Sequence, residues 1–204
     1  MNNEIEEEIN KISESIEDLK FEATKVYENL VKPNWWNYEK RFYRTLYGYI
    51  LNCFSFIDLL SGFLYGTQDW KSLRINETKA LSNFIHKYLK WDEKTSLVAV
   101  NLFRHCIIHK ANIYPHLDIN GIKYRWLLHW SDKELPRSQH AQFQSSANEK
   151  ILNLNLFCFI DDILKGLREY KDDLKHDSTL RNKFNSFKNE IDSLKLNHDY
   201  LFHN

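Results

Sequence analysis

Glycine (5) and proline (3) are scarce in this 204-residue chain. That scarcity argues against an all-β sandwich or barrel, which needs many tight turns. An excess of charge is missing too: 28 Lys+Arg stand against 28 Asp+Glu, a formal net charge of zero. A globally basic nucleic-acid binder is excluded, while a local basic patch is not. The three cysteines, Cys53, Cys106 and Cys158, are far apart and form no C-x-x-C. Zinc-finger and thioredoxin readings therefore fail, and a reducing compartment fits. There is no Walker loop, GxGxxG, HExxH or GxSxG, so the common nucleotide, metalloprotease and hydrolase signatures are absent. The N-terminus MNNEIEEEIN is acidic, unlike a signal peptide. The most apolar segment, Tyr47 to Leu64, carries Asn52 and Asp58 and reads as too polar for a membrane span. We expect a soluble cytoplasmic protein that does not engage a membrane.

What is present is core material. Hydrophobic residues make up 43% of the chain and aromatics 15%, which rules out disorder along its whole length. Ile5, Ile9, Ile12, Ile16, Leu19, Ala23, Val26 and Leu30 step by four and three, the stripe of an amphipathic helix over 1–31. Nine acids against three lysines solvate its other faces. The helix packs on its own domain or forms a coiled-coil arm to another subunit. A second helix is expected over 38–64, with Phe42, Leu46, Ile50, Cys53, Phe54, Ile57, Leu60 and Leu64 in phase and Gly66 as C-cap. Asp58 lies on that apolar helix and needs a cation or a backbone donor from another element.

A third helix starts at Asn76, a good N-cap, and carries Ala80 to Leu89. A fourth, capped by Asp92 or Thr95, runs through Leu97, Val100, Phe103, Ile107 and Ile108 to about Lys110. Asn120-Gly121 predicts a hairpin with a strand over 122–127. The polar run 137–148 reads as a loop. Fifth and sixth helices are expected over 147–170 and 178–196. The fold class is therefore all-α, a bundle of five to six helices with a small β-hairpin after the fourth.

The chemistry gathers at the end of the fourth helix, in Phe103-Arg104-His105-Cys106-Ile107-Ile108-His109-Lys110. Arg104 and His109 form an R-x4-H. Five residues turn a helix by about 500°, leaving the two about 140° apart around the axis. They converge only if His109 sits on a looser last turn or if a second subunit completes the site. Those residue types suit RNA cleavage. A 2′-hydroxyl must lose a proton, the leaving 5′-oxygen must gain one, and the phosphorane charge must be held. Histidine exchanges protons near neutral pH, arginine offers a fixed fork to phosphate oxygens, and the scheme requires no metal. A helix C-terminus favours the cationic, acid form of a nearby histidine. In the bland alternative Arg104 is a surface residue and His109 a helix-end cap.

The R-x4-H at the end of an apolar helix resembles the HEPN superfamily, small helical bundles that share R-x4-6-H. The family Arg corresponds to Arg104 and the family His to His109. His105 stands where a polar residue often follows the Arg. The resemblance covers about residues 38–170 and treats 1–31 and 178–196 as additions. It implies a metal-independent endoribonuclease without a cofactor that leaves a 2′,3′-cyclic phosphate. It also implies a homodimer with facing motifs and a role in RNA processing, phage defence or a toxin–antitoxin pair with an antitoxin or defence partner. Some members only bind nucleotides or protein partners.

Residues 101–140 hold six Lys/Arg against three acids, with five histidines and Tyr114, Tyr124, Trp126 and Trp130 interleaved. Such a mixture suits single-stranded RNA through stacking and phosphate neutralisation. In the alternative, the hairpin's aromatics cover the bundle core. Arg104, His109 and His105 are the candidate catalytic residues. Lys110, Arg125 and Tyr114 are candidates to bind substrate, and Asp58 to position Arg104. A metal held by His105, His109 and His116 is not expected, and Cys106 reads as a small apolar residue.

Overall fold

Capping chemistry and turn chemistry set most element boundaries in the computed structural model, which describes residues 3–33, 41–71, 73, 76–103 and 116–202. Helix α1, Asn3–Val26, continues into a π-helical turn at Tyr27–Val31. Helix α2, Arg41–Tyr65, ends at Gly66, whose φ of 88° only glycine adopts without cost. Helix α3, Glu77–Phe84, starts where the Asn76 side chain accepts from the Thr78 amide, and it widens into a π-turn at Ile85–Leu89. Helix α4, Glu93–Asn101, starts at Asp92, whose carboxylate accepts from the Thr95 amide. Strands β1 (His116–Ile119) and β2 (Ile122–His129) flank Asn120 and Gly121, both at positive φ as the shortest hairpin turn requires.

The chain departs from the all-α expectation beyond this hairpin. The expected loop over 137–148 contains a strand, β3 (Gln142–Ser145). The first part of the expected fifth helix is a strand, β4 (Glu149–Asn155). Helix α5 begins only at Leu156, capped by Asn155, and runs to His176. The fold is mostly helical with a four-stranded mixed sheet, ordered β1-β2-β4-β3. β2 and β4 run parallel with Trp126 opposite Leu152, and β1 and β3 pair antiparallel at the edges. The misreading has a physical cause. Ile151, Leu154, Phe157 and Ile160 fit a helical step, but Leu152-Asn153-Leu154-Asn155 alternates with period two. All four are buried, as suits a strand covered on both faces.

Helix α6, Ser178–Phe202, is joined to α5 by Asp177, which accepts from the Leu180 amide. It packs on α2, with Phe63 stacked on Phe184 at 4.1 Å between ring centroids. Gly62 is the point of closest approach, because any Cβ there would overlap the Phe187 ring. Helix α1 lays Ile5, Ile9, Ile12, Ile16, Leu19 and Ala23 inside the chain's own core and packs on α5 and α2. One continuous apolar cluster takes side chains from α1, α2, α3, α4, α5, α6 and the sheet.

Within α2, Arg44–Tyr65 is long and apolar enough to cross a membrane by length and composition. Leu46, Ile50, Cys53, Phe54, Ile57 and Leu60 from it are fully buried in the core, which accounts for that composition.

Candidate functional site

Helix α4 leads into the R-x4-H stretch. Val98, Ala99, Val100, Leu102 and Phe103 are buried, whereas Leu97 is 43% exposed. Leu97 follows two inward residues, Thr95 and Ser96, whose side chains bond Asp92 at the helix start.

The Phe103 ring stacks on Phe54 of α2, with centroids 4.4 Å apart and planes 10° from parallel. Trp126 from β2 stacks on Phe54 as well, and Phe159 from α5 meets it edge-on. Phe54 is thus the ring at which α2, α4, α5 and the sheet meet. Arg104 is the next residue after Phe103. Arg104, His105, His109, Lys110 and Tyr114, with Cys106, lie outside the described residues. Asp58 is described, one helical turn beyond Phe54 and therefore on the same face of α2. Its carboxylate is half-buried and accepts a long bond, 3.5 Å, from the Gln68 side chain.

The hairpin directs its aromatics inward. Tyr124, Trp126 and Trp130 are buried, Trp126 edge-on to Tyr47 and Trp130 near Tyr27 and Tyr49. Of the two expectations for these rings, the core-covering one describes them. Arg125 points outward and is held by Glu149, with Nε 2.8 Å and Nη2 3.2 Å from its carboxylate oxygens. Lys123 stands opposite Asp118 in the strand register. The outward cations of β2 are each faced by an acid on a neighbouring strand, so this surface of the sheet carries little net charge. Among the described residues no three His, Cys, Asp or Glu side chains gather as a metal site.

A second polar centre escaped the sequence reading. Asp162 on α5 is buried, yet it is surrounded by donors. Arg137 Nη2 bonds one carboxylate oxygen, and Trp91 Nε1 donates to the other at 2.9 Å. His140 Nε2 lies 3.3 Å from that second oxygen, while His140 Nδ1 accepts from the Asn155 amide at 3.0 Å. That acceptance puts the imidazole proton on Nε2, which lies near the carboxylate without a hydrogen bond to it. Burial, followed by the Arg137 charge, lowers the His140 pKa to about 3, so the ring is neutral. Arg137 Nη1 also donates to the Cys158 carbonyl at 2.8 Å.

These groups line a cleft of about 490 Å³ together with Lys90, Asp92, Gln142 and Lys165. One signal for this centre existed in the sequence. Asp162 falls in phase with Phe159 and Ile163 on an apolar helical face, the same irregularity that drew attention to Asp58. Two of its partners, Arg137 and His140, come from a polar run 22–25 residues earlier and a third, Trp91, from 71 residues earlier, and no local pattern connects them.

Comparison with family models, with curated proteins and with solved structures finds no match to this chain.

Proposed function

We propose that the protein is a HEPN-like, metal-independent endoribonuclease acting as a cytoplasmic homodimer. A toxin–antitoxin or phage-defence setting is part of the same reading. What supports it is one junction. The chain enters R-x4-H directly from Phe103, which is stacked on Phe54, and the half-buried Asp58 carboxylate sits one turn along the same face of α2. The helical core thus leads into an arginine-histidine stretch and carries an acid on the helix against which Phe103 packs.

Arg104 holds the scissile phosphate, and Asp58 positions it through a charge-assisted bond. His109 moves the proton between the 2′-hydroxyl and the leaving 5′-oxygen, and His105 orients the phosphate or the partner histidine. Lys110, Arg125 and Tyr114 bind flanking RNA, with Arg125 leaving Glu149 to do so.

The test is cleavage of a mixed RNA pool by the full chain. His109→Ala should reduce the rate by about 10²–10⁴ while far-UV dichroism and oligomeric state stay unchanged. Excess EDTA should leave the rate unaltered. Full activity in His109→Ala, or loss of activity with EDTA, overturns the reading.

A non-catalytic HEPN-like binding or scaffold protein is the second reading. It is favoured by the burial of Tyr124, Trp126 and Trp130, which removes three stacking platforms from any RNA surface. That reading predicts RNA or nucleotide binding with no turnover in the wild-type chain.

A further inference from the structure

We propose that the cleft above Asp162 binds a phosphate group, with Arg137 as its anchoring residue and Lys165 completing the charge. Its described lining includes none of the R-x4-H residues.

Buried ion pairs contribute little net stability, because desolvation offsets most of the attraction and well-packed apolar groups serve as well. A buried carboxylate ringed by an arginine, an indole and an imidazole is therefore hard to account for by stability alone. The arrangement does one thing well: it fixes a guanidinium at the mouth of a cleft. Arg137 is bonded on one side to Asp162 and to the Cys158 carbonyl. Those two bonds use two of its five N–H donors. Its side chain remains 49% exposed, against 7% for Asp162. A pre-fixed planar fork loses little freedom on meeting an oxyanion and matches phosphate oxygens two at a time.

The rest of the lining fits the same ligand. Lys165 lies one turn along α5 from Asp162, on the same side, exposed, and without an ion pair among the described residues. Lys90 enters from the other wall. It is at positive φ after the π-turn, and its ammonium reaches Glu169 at 2.7 Å. The cleft's two carboxylates are both committed inside the protein. Asp162 is matched by Arg137, and Asp92 caps α4 through Thr95. Arg137 is paired with Asp162 and Lys90 with Glu169, so the charge left to meet a ligand is the Lys165 ammonium, aided by the unused guanidinium N–H donors of Arg137. Gln142 adds an amide at the start of β3, and the volume of about 490 Å³ suits a small phosphate ester.

Phosphate oxygens come from two sources, a free phosphate monoester or the backbone of RNA, and the experiment separates them. The Trp91 indole N–H, bonded to Asp162, is the reporter. Its NMR cross-peak, assigned with Trp91→Phe, is followed during titration of the full chain with inorganic phosphate and, separately, with a short single-stranded RNA. A saturable shift with inorganic phosphate identifies a phosphate-monoester site. A shift with RNA alone identifies the backbone as the source.

Lys165→Gln keeps the Arg137–Asp162 pair and the fold, and it should weaken binding about tenfold. Arg137→Gln should abolish binding, and Arg137→Lys should restore only part of it, because the fork is lost. No saturable shift with either titrant, or undiminished affinity in Lys165→Gln and Arg137→Gln, overturns the proposal. His109→Ala should bind as the wild type does, so failure of the nuclease reading and failure of this site are distinguishable.

Discussion

His140 shows how a single residue ties the fold to pH. An imidazole in the unfolded chain titrates near 6.5. In the fold, burial first and the Arg137 guanidinium second lower its pKa to about 3, with the Asp162 carboxylate 3.3 Å away. Between those two values the unfolded chain takes up a proton that the native ring refuses. Its contribution to stability is therefore complete above pH 6.5 and is lost progressively as the pH falls toward 3. His129 is lowered in the same direction by burial and adds to the same limb. Glu134 is raised by burial, so its contribution has the opposite sign, present at low pH and lost as the pH rises past its native value. Replacing His140 with Gln removes one titrating group from the acid limb. Urea melts at stepped pH should show the wild type losing more stability than His140→Gln between pH 6.5 and 4, by about 1–3 kcal/mol. Parallel curves would show that His140 titrates as an ordinary exposed histidine.

Element α1 carries a register change that decides which of its last residues hold the protein together. A straight heptad stripe runs from Ala23 to Val26 and Leu30. The π-turn at Tyr27–Val31 inserts extra residue length and rotates the following side chains. Tyr27 and Val31 are buried in consequence, and Leu30 is 51% exposed. Tyr27 also receives a bond from the Ser131 hydroxyl, at 2.9 Å, linking the helix to the turn after β2. Val31→Ala should cost about 2 kcal/mol, while Leu30→Ala should stay within about 0.5 kcal/mol, both read from denaturant midpoints. The reverse ranking would mean that the heptad continues unbroken.

The same contrast marks what the sequence disclosed. Elements announced by local chemistry were legible: the Asn76 and Asp92 caps, the Gly66 stop and the Asn120-Gly121 turn each depend on a few adjacent residues. The π-turn, β3 and β4 were not, because a widened helix and a pairing between residues 123–129 and 149–155 are settled by tertiary contacts. The site divides likewise. Asp58 stood out as an acid on an apolar face. Asp162 carried the same mark, but its meaning depends on Arg137 and His140, which reach it across a turn of the fold.

At the scale of the whole molecule, the question is whether α1 belongs to this domain or reaches for another chain. Its ion pairs decide little. Lys20 with Asp161, and Lys171 with Glu6, are partly exposed surface pairs, and such pairs contribute at most about 1 kcal/mol each. The apolar stripe decides more. Ile5, Ile9, Ile12, Ile16, Leu19, Ala23, Tyr27 and Val31 are buried against the chain itself. Large apolar side chains contribute about 1.5–3 kcal/mol each when fully buried. Even after the entropy of ordering the helix is subtracted, that sum rivals the whole net stability of a domain, about 5–15 kcal/mol. Deleting residues 1–33 should uncover the inward faces of α5 and α2 and abolish the cooperative unfolding transition. Strong binding of a hydrophobic dye should appear at the same time. A coiled-coil arm would behave in the opposite way, leaving a cooperatively folded chain whose only change is its oligomeric state. Calorimetry and light scattering on the truncated chain separate the two, and a sharp transition retained in a smaller particle would assign α1 to a partner subunit.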